Sequence, residues 1–281
     1  MKSIFVSNLI AAAAILVSLS GCGGEAAEQA KKDSLKEIKI GLVGEHNAEW
    51  YKVAENLQKD NIQLTIVRFS DYTLPNRALN DGEIDLNAFQ HKAYLKADSE
   101  ANGFKLSPIG DTIICPLGAY SQKIRSLNDI KEGDTIAIPN DPTNGGRALK
   151  LLESAGLITL DKSKGYLPTV NDIKENRKTV KIYEVDAGNT PSLLPDVAVS
   201  VINSNYAVDN KLNPATDAIY QDTTGHIDEN NPYVNIIAAR TSDVNREDLK
   251  KVVRAFQTQE IAELILKEYH GVNLPVFDYK K

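Results

Sequence analysis

Cysteine is scarce in this chain: Cys22 and Cys115 are the only two among 281 residues. With Cys22 engaged elsewhere, Cys115 has no partner, so disulfides are excluded and stability must come from the core. His46, His91, His226 and His270 are scattered with no i, i+4 pair, which argues against a metal site. No basic run occurs and the formal charge is -6, which argues against nucleic-acid binding. A Gly-x-Ser-x-Gly elbow is missing, and so is the Gly-Lys-Ser/Thr ending of a phosphate loop. After the first 21 residues, no segment is apolar enough to span a bilayer. There is no internal repeat or low-complexity tract. These absences point away from an enzyme and from a cofactor-bound or metal-bound protein.

What is present starts at the N-terminus. Lys2 precedes a mostly apolar Ile4 to Leu19 run with an Ala11–Ala14 block, and Leu19-Ser20-Gly21-Cys22 follows. A charged start, an apolar core and small residues before a cut site are the layout of an export signal. With a cysteine at that site, residues 1–21 resemble a bacterial lipoprotein signal, and Cys22 becomes the lipidated N-terminus. A transmembrane anchor is the alternative, but the core is short and is interrupted by Ser3, Ser7, Asn8 and Ser18. Loss of residues 1–21 removes one Lys and no acid, taking the charge from -6 to -7. The expected location is the extracytoplasmic face of the cell membrane. Residues 22–36, small and charged, read as a tether reaching on the order of 20 Å.

Ile38 to Val43 alternates as a strand, and Trp50, Val53, Ala54 and Leu57 lie at helical spacing. Ile62–Phe69 reads as a strand, Pro75 opens a short helix, Ile84–Leu86 is a short strand, and a helix surrounds Tyr94. Thr135–Ile138 begins a second series. In it, Ala148, Leu151, Leu152 and Ala155 share a helix face that stops at Gly156. Val180–Val185, Val197–Ile202 and Tyr233–Ala238 read as strands. Leu249, Val252, Val253, Phe256, Ile261, Leu264 and Ile265 suggest one long amphipathic C-terminal helix. The alternation implies mostly parallel α/β sheets. Two such series suggest an α/β, bilobal, periplasmic-binding-protein-like fold (type II-like) with its ligand cleft between lobes.

Asn140-Asp141-Pro142-Thr143-Asn144-Gly145-Gly146-Arg147 links a strand to a strong helix. Thr143 is a candidate N-cap, the glycines could admit a ligand close to the backbone, and the first-turn amides form an anion site. Arg147 adds a planar fork for a carboxylate or phosphate. Phe69 to Asn76 and Asn87 to Lys92 stand where strands yield to helices, the end of an α/β sheet that faces a crevice. Tyr72, Phe89 and His91 there could wall an apolar pocket. Cys115, within Thr112 to Leu117, reads as a buried structural thiol.

Five segments occur in order: Phe69-Ser-Asp-Tyr-Thr-Leu-Pro-Asn76, Asn87-Ala-Phe-Gln-His-Lys92, Pro139-Asn-Asp-Pro-Thr-Asn-Gly-Gly-Arg147, Val201-Ile-Asn-Ser-Asn-Tyr206 and Pro232-Tyr-Val-Asn235. With the lipidation motif, they resemble the NlpA/MetQ family of methionine-binding lipoproteins, the substrate-binding components of methionine ABC importers. The resemblance runs from about Ile38 to the C-terminal helix. It implies capture of L-methionine between two lobes and delivery to a permease and, through it, an ATPase. Arg147 matches the arginine that holds the ligand carboxylate. Asn203 and Asn235 match the head-group asparagines, with Asn144 as a helper. Tyr72, Phe89, His91 and Tyr94 match residues around the thioether. Lobe 1 is expected over 37–113 plus 236–281 and lobe 2 over 114–235, with hinge strands near 112–117 and 233–239. Cys115 departs from the aromatic or aliphatic residue of the family pattern, and Asn205 falls at a variable position. D-methionine, another apolar amino acid or a methionine-containing dipeptide are the alternative ligands. An extracytoplasmic enzyme and an adhesin are alternatives of another class.

Overall fold

Alternation sets the first strand, β1 (Lys36–Val43), which buries Ile38, Ile40 and Leu42 while Glu37 and Lys39 face solvent. A computed structural model describes residues 35–222 and 231–279. The export signal over 1–21, Cys22 and the tether up to residue 34 lie outside the described residues. Lys36 was expected in the tether. It instead opens β1 and pairs with Ile62 at the start of the parallel strand β2 (Ile62–Phe69).

Helix α1 (Ala48–Leu57) packs Trp50, Val53 and Leu57 on this sheet. Helix α2 (Pro75–Asn80), β3 (Leu86–Asn87), α3 (Lys92–Asn102) and β4 (Leu106–Ile114) follow. The chain then builds a second sheet from β5 (Leu117–Tyr120), β6 (Thr135–Pro139), β9 (Lys181–Val185), β10 (Val199–Asn203) and β11 (Ala218–Gln221). Helix α4 (Pro142–Ser154) covers it, α5 (Ser204–Asp209) follows β10, and β7 (Ile158–Leu160) with β8 (Ile173–Asn176) forms a separate ribbon. The chain returns to the first sheet with β12 (Val234–Arg240), α6 (Glu247–Phe256), α7 (Gln259–Glu268) and β13 (Leu274–Pro275).

The strand orders are β13-β4-β12-β3-β1-β2 and β11-β5-β10-β6-β9. Each sheet is mixed, which corrects the mostly parallel expectation. β12 arrives from the other sheet and inserts between β3 and β4, antiparallel to both. β5 is likewise antiparallel to β10 and β11, while β6 is parallel to β9 and β10.

The expected single C-terminal helix is two. Gln257 leaves the helical region (φ -80, ψ 61), its side chain bonds the Asp111 carbonyl at 2.9 Å, and Thr258 caps α7 through Ile261 N–H. A threonine hydroxyl competes well for first-turn amides, so it starts a new helix within a continuous apolar pattern. Both helices still bury Leu249, Val252, Val253, Phe256, Ile261 and Ile265 in one core with β1 and α1, while the expected Leu264 is only half-buried.

The second sheet has its own core of Leu117, Ile136, Ile138, Val199 and Val201 under Ala148, Leu151 and Leu152. A third cluster joins the two sheets with aromatic rings: Tyr72 and Tyr94 from the first meet Tyr120 and Tyr206 from the second.

Two expectations about α4 change. Asp141, not Thr143, is the N-cap: its carboxylate accepts from Thr143 N–H at 3.2 Å and Asn144 N–H at 2.9 Å. The expected anion site on the first-turn amides is therefore occupied by the chain's own acid. The glycines serve packing rather than ligand approach. A Cβ at Gly145 would stand 2.7 Å from the Pro139 carbonyl oxygen, and one at Gly146 would stand 2.8 Å from that of Tyr166. Gly→Ala inside a helix ordinarily stabilises by up to about 1 kcal/mol. Here Gly145→Ala is expected to destabilise by roughly 1–3 kcal/mol, the cost of overpacking. Urea unfolding measures it, and a raised midpoint would contradict the packing role.

Candidate functional site

The ends of β1, β3, β10 and β12, the junction after β4 and the start of α4 surround a cavity of about 90 Å³. Arg147, Asn203, Asn235, Asn144, Tyr72, Phe89, His91 and Tyr94 all line it, although they come from segments far apart in the chain.

Arg147 is not the free fork expected at a helix start. It is 4% exposed, and its Nε donates to Asp222 Oδ2 at 2.5 Å and its Nη2 to the Cys115 carbonyl at 2.7 Å. Its guanidinium carbon lies 4.5 Å from the centroid of the Tyr233 ring, a cation–π contact. The guanidinium carries more N–H donors than these contacts use. Asp222 is buried too, and its other oxygen accepts from Leu117 N–H at 3.0 Å. Arg147 therefore enters the cavity wall with its charge already matched.

A relay of amides fixes polarity beside it. The Asp141 carboxylate accepts only, so Asn144 Nδ2 donates to it at 2.9 Å and Asn144 Oδ1 must face the cavity as an acceptor. Asn203 Nδ2 donates to that oxygen at 3.0 Å. His91 caps α3 by accepting Tyr94 N–H on Nδ1 at 3.0 Å, which leaves the proton on Nε2, 3.3 Å from the same Asn144 oxygen. Burial, and then the Arg147 charge, push the His91 pKa down to about 3, so the ring is neutral. His91 thus bonds the amide relay, and its ring also meets that of Tyr94 edge-on, with centroids 6.3 Å apart. The relay ends at Asn203 Oδ1, a buried acceptor with no hydrogen-bond partner among the described residues.

Asn235 donates to the Cys115 sulfur at 3.5 Å, and its backbone bridges His91. Cys115 is consequently a cavity-wall residue rather than the core thiol expected. Burial pushes its pKa up to about 12, which keeps it a thiol and a poor nucleophile. The opposite end is aromatic: Phe89 packs on Tyr72 with centroids 5.7 Å apart, and Tyr94 meets both rings edge-on. The Tyr72 hydroxyl donates to Asn205 Oδ1 at 2.6 Å, so Asn205 joins the site.

A match to the family model described as NlpA lipoprotein covers residues 38–277. The chain belongs to the NlpA lipoprotein family. It is 41% identical over 259 residues to the D-methionine-binding lipoprotein MetQ of Escherichia coli K12, covering 91% of this chain and 92% of that protein. A nutrient binding protein from Burkholderia cenocepacia, solved bound to methionine, is 40% identical with a TM-score of 0.80; the match covers 85% of this chain and all of that one. The substrate binding protein of a methionine transporter from Streptococcus pneumoniae is 38% identical with a TM-score of 0.80, covering 86% of this chain and 96% of that one. The substrate-binding fold expected from the two α/β series is the fold of these relatives.

Reading the sequence missed Asp222, Tyr233 as a partner of Arg147, and a group of polar residues at the cavity's other side. Glu49 is the most unusual of these, at 5% exposure. Its two carboxylate oxygens lie 3.5 Å from the Tyr269 hydroxyl, which is also 3.1 Å from the His46 carbonyl. Burial raises its pKa from 4.5 to about 7, with the Glu268 charge adding to the rise. Between those values the folded chain holds a proton that the unfolded chain has released, so this group's contribution to stability falls as pH rises from 4.5 to 7. Glu49→Gln is expected to be more stable than the parent at pH 8, by up to about 3 kcal/mol, and to match it near pH 5. Urea midpoints at the two pH values measure this, and a variant weaker at both would contradict the assignment.

Proposed function

We propose that this chain is a lipid-anchored receptor that captures methionine outside the cytoplasm and delivers it to an ABC importer, docking on the permease and acting through it on the ATPase. The chemistry of the cavity supports an amino-acid ligand. Asn203 Oδ1 is a buried acceptor without a donor among the described residues, and an ammonium supplies one. Asn235, from β12 of the first sheet, lines the same cavity. The N–H groups of Arg147 not used by Asp222 and Cys115 suit a carboxylate. Because Arg147 is paired with Asp222, a zwitterion of zero net charge leaves the site balanced. The rings of Tyr72, Phe89 and Tyr94 suit a polarisable thioether.

We assign the ligand as L-methionine. The D-form is the second reading, favoured by the name of the Escherichia coli relative. Binding without turnover accords with the binding roles in the relatives' names and with a Cys115 thiol held protonated. The lobes are assigned as 37–113 with 236–281 and as 114–235, with hinge strands near 112–117 and 233–239; the first sheet reaches into the second range by Ile114, which ends β4, and by Val234 and Asn235, which open β12. A lipid on Cys22 would hold the receptor near its transporter and raise its effective concentration there.

Calorimetry with the two enantiomers tests the reading. Asn203→Leu removes the acceptor, and a hydrogen bond to a charged group is worth about 1.5–3 kcal/mol. Affinity is therefore expected to fall by about one to two decades. Unchanged affinity would contradict the role of Asn203, and no binding of either enantiomer by the parent would contradict the function.

A further inference from the structure

We propose that Asp209 is a positioning residue: from outside the cavity it clamps the second sheet's binding segment to the first sheet's, and so sets how long the ligand is held. Asp209 ends α5, which leaves β10 of the second sheet. Its carboxylate receives Glu45 N–H at 3.2 and 3.1 Å and His46 N–H at 3.0 Å, both from the turn after β1 of the first sheet. Gly44 opens that turn at φ +89, and a Cβ there would stand 2.3 Å from Asp209 Oδ2. The carboxylate fills space that only glycine leaves. A left-handed residue followed by amides converging on one anion is a backbone nest.

The acid gains nothing from its own helix, because a helix C-terminus disfavours negative charge. Its favourable contacts come from the other sheet. The two segments it joins carry cavity walls, His46, Asn47 and Glu49 on one and Asn203, Ser204 and Asn205 on the other, whereas Asp209 does not line the cavity. Other contacts also cross between the sheets, including Tyr72 to Asn205 at 2.6 Å and Ser204 to Asn273 at 2.9 Å. Those residues face the ligand space, so changing them alters the binding surface as well. Asp209 can be changed without removing a side chain that lines the cavity.

When binding needs two bodies brought together, apparent affinity scales with the fraction of molecules already competent. A clamp raises that fraction and slows release. The ligand in this scheme rests on the methionine reading above; the clamp itself does not.

The test measures methionine dissociation by stopped flow and the ligand-free radius of gyration by small-angle X-ray scattering, on the parent, D209A, D209N and G44A. Loss of a charge-assisted contact at a half-buried site is expected to speed dissociation by roughly three- to tenfold in D209A, with association little changed. D209N, whose amide oxygen still accepts, is expected to lie between D209A and the parent. G44A pushes the carboxylate away and is expected to reproduce D209A, and the double variant to exceed neither by more than error. The ligand-free D209A protein is expected to be more expanded than the parent. Parent-like dissociation and scattering in D209A would overturn the proposal, as would fully additive effects of D209A and G44A. Should the parent not bind methionine, the ligand reading falls and the scattering comparison alone decides the clamp.

Discussion

The Arg147 guanidinium is shared among Asp222, the Cys115 carbonyl and the Tyr233 ring, and these partners mark the two passages between sheets. Cys115 lies between β4 and β5, and Asp222 and Tyr233 stand on either side of the return to β12. A cation carried by α4 thus holds both crossings in place. A buried ion pair is weak evidence of stability, because desolvation offsets its attraction. Losing one partner is different: it strands a buried charge at a cost of about 3–5 kcal/mol. The cavity's geometry therefore depends on this contact, and Asn203, which holds no buried charge, separates binding from folding better than Arg147 does.

Polarity spreads from that point by elimination. Asp141 can only accept, so Asn144 must donate to it and present an oxygen, and Asn203 and His91 donate to that oxygen. The sequence of donors leaves one acceptor over, where an amino group is suited. At the other end, Tyr72, Phe89 and Tyr94 enclose apolar space. The cavity thus has a polar and an aromatic end before any ligand arrives, the kind of preorganisation that lowers the cost of binding.

Much of this was legible in the chain. Alternation at Ile38 to Leu42 and helical spacing from Ala148 to Leu152 placed β1 and α4, and the five ordered segments hold seven of the eight cavity residues expected, with Tyr94 two positions past the second segment. What was hidden is non-local. Asp222 pairs with Arg147 across 75 positions and carries no motif. Glu49 looks like an ordinary first-turn acid until α7 and Tyr269 close over it. The antiparallel entry of β12 is a matter of topology, which no local pattern records. Two misreadings were avoidable: Asp141 before Pro142 is a stronger helix start than Thr143, and Thr258 is a cap in the middle of an apolar pattern.

A crystal structure of the protein grown with L-methionine tests the central claim most directly. The expected result puts the ligand carboxylate within hydrogen-bond distance of Arg147, its ammonium on Asn203 Oδ1 and its sulfur among Tyr72, Phe89 and Tyr94, with the Arg147–Asp222 pair intact. Methionine bound in the reverse sense, or outside this cavity, would contradict it.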